Sequence, residues 1–450
     1  MSATEQTDAR PDAGIRTSLA TSFVTQPRLT RQLPVTIIAP VRPRQLAPLR
    51  RLLERIGEDA AGNAELPFGR LRTAHYARLV LLEESRDLDG DAIPAQLLYM
   101  SDIDEPLSDH LDDLLGLAPG LDRVFGRCEG YPARRELTRE SRRRWLERHM
   151  IETQAFYVNT VGRTVIQIQR ESLLHTEIEQ FLDRGDWAGH DPLEVRAAIQ
   201  DHVNTVAEFA WARAPVSGPA PLDVARDIVA VALPVVGAVA AAPVLVPLLP
   251  IYALLLRWHE LHDAVETERL PAAHERRLAE LEDRGPVNQF SAVGSLKPGL
   301  LRRVTIGVAL RGLDLAARHV FNHGSLVGVK TIHFAHWTTL DSGRRMIFAS
   351  NYDGTVKSYN DDFIDKVWWG TNLVFSNGVG WPRSFLLIWG GLKDEQAFKN
   401  YLRRHQIPTQ VWYSAYPDLT AVNIDNNAKI RAGLVGSMDS KEAEQWLRLL

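Results

Sequence analysis

Residues 331–337 have the sequence Thr-Ile-His-Phe-Ala-His-Trp, and residues 73–79 have the similar sequence Thr-Ala-His-Tyr-Ala-Arg-Leu. A second pair of similar stretches follows, Leu-Leu-Tyr-Met-Ser-Asp-Ile-Asp at 97–104 and Met-Ile-Phe-Ala-Ser-Asn-Tyr-Asp at 346–353. An Asp-Asp pair then comes at the same spacing after each of them, at 112–113 and at 361–362. Ordered blocks of this kind indicate an internal repeat. The sequence therefore predicts two copies of one structural unit.

The first copy has the element order of a ferredoxin-like unit. A β-branched run at 34–41 predicts a strand. Leucine and isoleucine residues then recur at helical spacing between Leu46 and Ile56. Two strands near 72–83 and 94–101 and a helix from Leu107 complete the order β-α-β-β-α, which is the core of the ferredoxin-like motif.

The second copy is predicted to be interrupted, because its first strand (164–168) and helix (173–182) lie far from its remaining elements. We therefore predict an α+β protein in which two tandem ferredoxin-like units form a pseudo-symmetric α+β barrel, with a helical apolar insertion in the second unit. The predicted parts are a disordered tail (1–33), the first unit (34–150), the second unit (151–184 and 327–450) and the membrane-associated insertion (185–326).

The insertion contains a long apolar segment. Residues 228–256 carry no charge, and about 20 apolar residues suffice for a helix to span a bilayer. A single crossing would separate the strands of the second unit, whose backbone groups could not pair across hydrocarbon. Four prolines, which break or kink helices, lie at positions 234, 243, 247 and 250. We therefore predict a re-entrant or shallow hairpin, with a buried hairpin in a soluble protein as the alternative.

A second segment of the insertion also suits a membrane. Residues 300–322 mix apolar and basic side chains, as helices at membrane interfaces do, although a helix packed on the domain is the alternative. We predict membrane lipid as a partner through 228–256 and 300–322, with the bulk of the chain on one side, at the cytoplasmic face.

Composition excludes several classes. The formal net charge of -4 provides no overall basic field for nucleic acid. Cys128 is the only cysteine, so that an intrachain disulfide and a cysteine-based metal centre are excluded.

Two further stretches bear on function. The stretch His259-Glu260-Leu261-His262 lacks the spacing of the zinc-protease motif and is predicted to lie at the membrane interface. The tryptophans near the C-terminus, Trp389 among them, are predicted to belong to the core, with a lipophilic pocket or an interface as the alternative.

Histidines and one carboxylate are the candidates for chemistry. His333 and His336 lie on one predicted strand, where alternation would point them to opposite faces. A strand histidine beside a cavity can ligate haem iron or carry protons, and the alternative is a hydrogen-bonded core histidine. Asp353 precedes Gly354 just after a strand, where it either accepts a proton or caps a turn.

Two ferredoxin-like units in one chain resemble the dimeric α+β barrel superfamily, which includes dye-decolorising peroxidases and chlorite dismutase-like haem proteins. The peroxidases carry a G-x-x-D-G motif whose Asp assists peroxide cleavage. Asp353 and Gly354 match its last two positions, whereas Ser350 replaces the first glycine. The haem-ligating histidine of that family lies downstream of the motif, and His405 is the only histidine after Asp353.

The resemblance implies a haem cofactor. His405 and the strand histidines His333 and His336 are therefore the candidate cofactor-binding residues. Asp353, and Arg403 beside His405, are the candidate catalytic residues. The leading hypothesis is a membrane-associated, haem-dependent oxidoreductase that acts on a lipophilic or peroxide-like small molecule. The alternative is a non-enzymatic membrane-bound scaffold or partner-binding module. A lipid carrier is a third option, which requires a large apolar cavity.

Overall fold

The structure, a computed structural model, describes residues 30–214, 221–266, 270–321 and 324–450. Most of the predicted tail (1–33) lies outside the described residues. The strands are β1 (Gln32–Pro40), β2 (Ala74–Leu82), β3 (Ser85–Arg86), β4 (Ala92–Ile93), β5 (Gln96–Asp104), β6 (Met150–Ile151), β7 (Ala155–Val158), β8 (Val287–Ser295), β9 (Ile332–Leu340), β10 (Arg345–Asp353), β11 (Ser384–Phe385), β12 (Trp389–Gly390) and β13 (Val411–Ser414).

The α-helices lie between these strands and after the last of them. They are α1 (Leu46–Glu58), α2 (Leu107–Gly116), α3 (Ala118–Phe125), α4 (Arg139–Arg148), α5 (Val165–Asp183), α6 (Pro192–Thr205), α7 (Pro221–His262), α8 (Ala272–Ala279), α9 (Leu300–His319), α10 (Val356–Lys366), α11 (Trp368–Phe375), α12 (Glu395–His405), α13 (Ala421–Ala432) and α14 (Ser440–Leu447). The protein is thus of the mixed α+β class, as predicted.

The chain divides into two compact units. In its described part the helical unit contains residues 166–214 and 424–450, and the two-sheet unit contains residues 30–165 and 221–423. This division differs from the predicted domain bounds. The helical unit has its own core, in which Leu174 and Ile178 pack with Ile199, Ile430 and Trp446.

Two antiparallel sheets form the framework of the two-sheet unit. The first has the strand order β13-β2-β5-β1-β6, and the second has the order β7-β9-β10-β8. One face of each sheet packs against helices. The other faces meet in a shared apolar layer, where Val80, Leu98 and Met100 contact Ile347 and Ala349. The two sheets are therefore packed face to face.

The predicted start of the second copy is wrong, because residues 165–183 form helix α5 rather than a strand and a helix. The β-branched run at 164–168 indicates a strand locally, but the buried residues of α5 recur at helical spacing, at Val165, Ile168, Glu171, Leu174 and Ile178. Strand β8 lies instead within the stretch 185–326, which was predicted to be helical, and it pairs with β10 along its whole length.

The predicted hairpin in the apolar segment is also wrong, since α7 continues without a break through all four prolines. Pro243, Pro247 and Pro250 are spaced so that they share one helical face. The hydrogen bonds lost to proline therefore fall on that side, and the bonds on the opposite side continue the helix.

Candidate functional site

His333 lies at a β-bulge of β9, where the pairing with β10 shifts register. Its Nε2 is 2.6 Å from Asp353 Oδ1, and its ring centroid lies 5.6 Å from that of Tyr76 on β2. His336 bonds through Nε2 to Asp102 on β5. Both histidines therefore lie against the first sheet, and the prediction that they point to opposite faces is wrong, because a bulge interrupts the alternation of side chains.

Asp353 is buried at the end of β10 and is engaged through both carboxylate oxygens. Oδ1 bonds to His333, and Oδ2 accepts a 2.9 Å hydrogen bond from the backbone N–H of Ala421, the first residue of α13. A carboxylate at a helix N-terminus satisfies an unpaired N–H and favours the helix dipole. The geometry thus gives Asp353 a structural role, and its catalytic role stays a prediction.

The first sheet repeats this arrangement. His75 lies at the corresponding bulge of β2, and its Nε2 is 3.0 Å from Asp104 Oδ1. Asp104 Oδ2 accepts a 2.9 Å hydrogen bond from the N–H of Val165, the first residue of α5. His75 Nδ1 is also 2.8 Å from the Tyr416 hydroxyl. Each sheet thus holds the start of one helix through a buried His–Asp pair.

A polar network crosses the layer between the sheets. Asn351 Nδ2 donates to Asp102 Oδ2 over 3.0 Å, and Arg78 donates to Asn351 Oδ1 over 2.6 Å and to the Ser350 carbonyl over 3.0 Å. Burial lowers the pKa of Arg78 to about 10. Because the Asp102 carboxyl group also bonds to His336, one buried side chain of the first sheet holds two side chains of the second sheet. Such satisfied networks fix the register of two packed surfaces.

His405 and Arg403 lie elsewhere, on α12. His405 Nδ1 donates to the Tyr401 carbonyl over 2.9 Å, and burial lowers the pKa of His405. The cavity beside this imidazole has a volume of about 20 Å³, roughly enough for one water molecule. Arg403 forms an ion pair with Glu282. Of the predicted site residues, the structure therefore brings together only His333 and Asp353.

These positions do not fit a shared haem site. His336 faces the first sheet, whereas His405 packs with Met346 and Phe348 on the helix-covered face of the second sheet. His333 and His336 already bond to buried carboxylates. Within the described ranges, moreover, no group of three or more His, Cys, Asp or Glu residues is arranged to hold a metal ion. Haem binding stays a prediction from the resemblance.

An apolar cavity of about 800 Å³ lies between α7, α9 and α11. Leu248 and Tyr252 of α7, Val308 and Leu313 of α9, and Val374 of α11 are among its wall residues. None of the described residues that line it carries a charge. Its volume is in the range of small-molecule sites. The arrangement therefore suits an uncharged, lipophilic ligand.

Two wall residues carry unsatisfied polar atoms. Trp337 and Thr371 line the cavity and are buried. Trp337 Nε1 and Thr371 Oγ1 find no hydrogen-bond partner among the described residues. A buried polar group without a partner costs about 1–3 kcal/mol. Because neither atom is accessible to solvent, the face that these two residues present to the cavity is apolar.

The apolar helix α7 is exposed along nearly its whole length. Leu233, Val239 and Leu254 keep 70%, 69% and 73% of their surface accessible. By length and composition, the segment Val224–His262 qualifies as a candidate membrane span, and the test rests on those properties alone. An exposed apolar surface of this size on a soluble monomer is unusual and marks an interaction site.

Both ends of α7 are fastened to the two-sheet unit. Near its start, Asp227 forms an ion pair with Arg31. Just beyond its end, Asp263 lies 2.8 Å from Lys297 Nζ. Between them, the Tyr252 hydroxyl lies 2.9 Å from Thr305 Oγ1 of α9. The helix therefore runs along one body, with one side over the cavity and the other side open.

Sequence reasoning missed the cavity. Val304 and Val308 lie in the segment 300–322, which was predicted to be one helix of mixed apolar and basic residues. The opposite wall of the cavity is supplied by α7 and α11, which no local pattern connects to α9.

No family model matches the chain, and no curated protein and no solved structure matches it significantly.

Proposed function

We propose that this protein acts at a membrane surface, where it binds an uncharged lipophilic molecule in the cavity beneath α7. The proposed activity is binding and not a reaction. The partners are membrane lipid and a lipophilic small molecule, as in the sequence-based hypothesis, and haem is not among them. The predicted location at the cytoplasmic face stays a prediction.

The observation that carries the proposal is an exposed apolar helix whose two ends are held by the same body. Each Å² of apolar surface left in water costs about 25 cal/mol, so that α7 is expected to seek a covering apolar phase. At 42 residues it is about 63 Å long. Because Asp227 and Asp263 are both tied to the two-sheet unit, a helix lying in the membrane surface fits better than a crossing.

The cavity supports the choice of ligand. An uncharged wall disfavours a carboxylate or phosphate, since a charge moved into such a site loses its hydration without a partner. A neutral lipophile therefore suits the wall.

We also propose that the two sheets are the tandem ferredoxin-like units, related by pseudo-symmetry. In the first sheet β2-β5-β1-β6 follows the order of the second, third, first and fourth strands of that motif. In the second sheet β9-β10-β8 follows the same order. The remaining edge strands, β13 and β7, each come from the end of the other copy. In this proposal the second copy begins at β8, not at residue 164.

Flotation of the full chain with phosphatidylcholine vesicles tests the membrane part. Replacing Leu233 and Val239 with Asp is expected to weaken vesicle binding at least tenfold, since a charge at the centre of a membrane segment costs about 2.5–3.5 kcal/mol. Leu88→Asp, a change at another exposed apolar residue far from α7 in sequence, serves as the control and should float like the wild type.

Mass spectrometry of lipids retained by the purified protein tests the ligand. Co-purification of a neutral lipophile at one molecule per chain is the expected result. Vesicle binding without any retained lipophile would instead support the membrane-bound scaffold. A protein that stays with the unbound fraction in flotation contradicts the proposal.

A further inference from the structure

The hairpin β11–β12 carries an apolar tip at the surface. Residues 385–389 have the sequence Phe-Leu-Leu-Ile-Trp, and Phe385 pairs with Trp389 across the hairpin. Each of these two aromatic side chains is 48% exposed. The prediction that Trp389 belongs to the core is therefore wrong, because its ring has water on one side.

The turn of this hairpin is strained. Leu386 and Leu387 have φ angles of 49° and 65°. These values lie in the left-handed region, which costs a residue with a Cβ about 1–2 kcal/mol. Non-glycine residues persist in this conformation only where the surroundings hold them.

Glu260, in the last turn of α7, holds the turn in place. Its carboxylate accepts hydrogen bonds from the N–H groups of Leu386 and Leu387, over 2.9 and 2.8 Å. The Ser384 hydroxyl also donates to it, over 3.2 Å. Arg257 lies 3.1 Å from the same carboxylate and donates to the Ser384 carbonyl over 2.9 Å. The hairpin is therefore fixed to the end of the apolar helix.

Several features of the tip match a bilayer interface. The guanidinium of Arg257 lies 5.0 Å from the Phe385 ring centroid, and Trp258, one residue further, is exposed. Tryptophan and basic residues together are enriched where hydrocarbon meets headgroups. Because the hairpin continues the surface of α7 at the end of its uncharged stretch, the same phase that covers α7 would reach Phe385 and Trp389.

We propose that this hairpin is a second membrane-contact element, in which Phe385 and Trp389 enter the interfacial layer of a phospholipid bilayer beside the end of α7. The inference rests on the proposed membrane function and adds a site to it. Glu260 acts as a positioning residue that keeps the turn in its strained conformation. Leu387, at the same turn, lines the cavity, so that this element lies between the bilayer and the lipophile site.

A fluorescent label on the hairpin tests the inference. Trp389→Cys in a Cys128→Ala background is labelled with the environment-sensitive nitrobenzoxadiazole group and mixed with phosphatidylcholine vesicles. Its emission should shift to shorter wavelength and increase. The control is Leu88→Cys, labelled in the same background on the β3–β4 hairpin, where residue 88 is exposed; its emission should stay unchanged.

A second variant measures the contribution to binding. Replacing Phe385 and Trp389 with Ser should weaken vesicle partition roughly tenfold, because the apolar area of two aromatic side chains no longer leaves water. Glu260→Ala should weaken partition less, since it frees the turn but keeps both aromatic rings.

The outcomes separate the two proposals. If the wild type floats with vesicles while the label at 389 is unaffected and the double variant floats equally well, the hairpin inference is overturned and the membrane function stands. If neither the wild type nor the label responds to vesicles, both fall. A blue shift that needs no vesicles and grows with protein concentration would show that a second copy covers the tip, and it would also overturn the inference.

Discussion

Asp353 and Asp104 occupy equivalent places in the two halves of the two-sheet unit. Each lies at the end of a strand, bonds to a histidine at a β-bulge and accepts a hydrogen bond of 2.9 Å from the first N–H of a helix. The helix that Asp353 holds begins at Ala421, and the helix that Asp104 holds begins at Val165. This equivalence indicates that Asp353 and Asp104 each form part of a helix anchor that occurs once in each half.

Removing either anchor should destabilise the fold. Asp353→Asn and Asp104→Asn each replace a buried, charge-assisted hydrogen-bond acceptor with a neutral amide. Hydrogen bonds to charged groups contribute about 1.5–3 kcal/mol, and we expect each variant to lose about that much free energy of unfolding in urea titrations.

Asp361→Asn serves as the matched control, because Asp361 is only half-buried and pairs with Lys399 near the surface. Surface ion pairs contribute about 0–1 kcal/mol, so that little change is expected. An Asp353→Asn variant as stable as the wild type would contradict the anchor role and would revive the catalytic hypothesis for this residue.

The central strands could be predicted because the similar sequence blocks coincide with paired strands. The stretches at 73–79 and 331–337 lie in β2 and β9, and those at 97–104 and 346–353 lie in β5 and β10. These central strands are buried on both faces, so that the similarity between their sequences is easy to recognise. Strand β8 was missed because polar residues such as Asn288, Gln289 and Ser291 interrupt its apolar pattern.

The site was harder to predict than the fold. His333 and Asp353 were recognised as candidates, but the bulge that turns His333 and the partners of both residues depend on pairing between distant strands. Helix α5 was misread because Asp104, far from it in sequence, supplies the contact that starts the helix at Val165. The cavity is formed by three helices from separate parts of the chain, so that no local pattern indicates it.

Stability should depend on pH through His110. This imidazole is fully buried on α2, 3.0 Å from the Tyr99 hydroxyl, and burial lowers its pKa to about 3. A histidine in the unfolded chain has a pKa of about 6.5. Below that value the unfolded state binds a proton that the folded state does not, so stability is complete above pH 6.5 and falls as the pH decreases towards 3, by up to about 1.4 kcal/mol per pH unit.

Urea titrations between pH 4 and 7 check this dependence. His110→Gln should lower stability at neutral pH and make the curve shallower over that window, because the variant has no buried imidazole. His190→Gln, at an exposed position, should leave the slope unchanged. An unchanged slope in His110→Gln would show that other groups control the acid sensitivity.

The absorption spectrum should show no haem. His333 and His336 each bond to a buried carboxylate, and removing one partner of a buried pair costs about 3–5 kcal/mol. His405 has only a small cavity beside it. We therefore expect no Soret band when protein expressed with ample haem supply is purified. A stoichiometric band that His405→Ala abolishes would contradict this prediction and support the family resemblance.

Filling the cavity should weaken lipophile binding without disturbing the fold. Gly312 lines the cavity on α9, and a Cβ added there meets no atom within 4 Å, so that Gly312→Trp places an indole where the ligand would lie. Gly307 lies on the same helix with equally open space and does not line the cavity, which makes Gly307→Trp the matched control.

Titration with the neutral dye Nile red measures the effect. Binding should be about tenfold weaker for Gly312→Trp, a loss of about 1.4 kcal/mol, and Gly307→Trp should keep the wild-type affinity. Equal binding by both variants would mean that the dye binds to the open side of α7, and the cavity would lose its assignment as the ligand site.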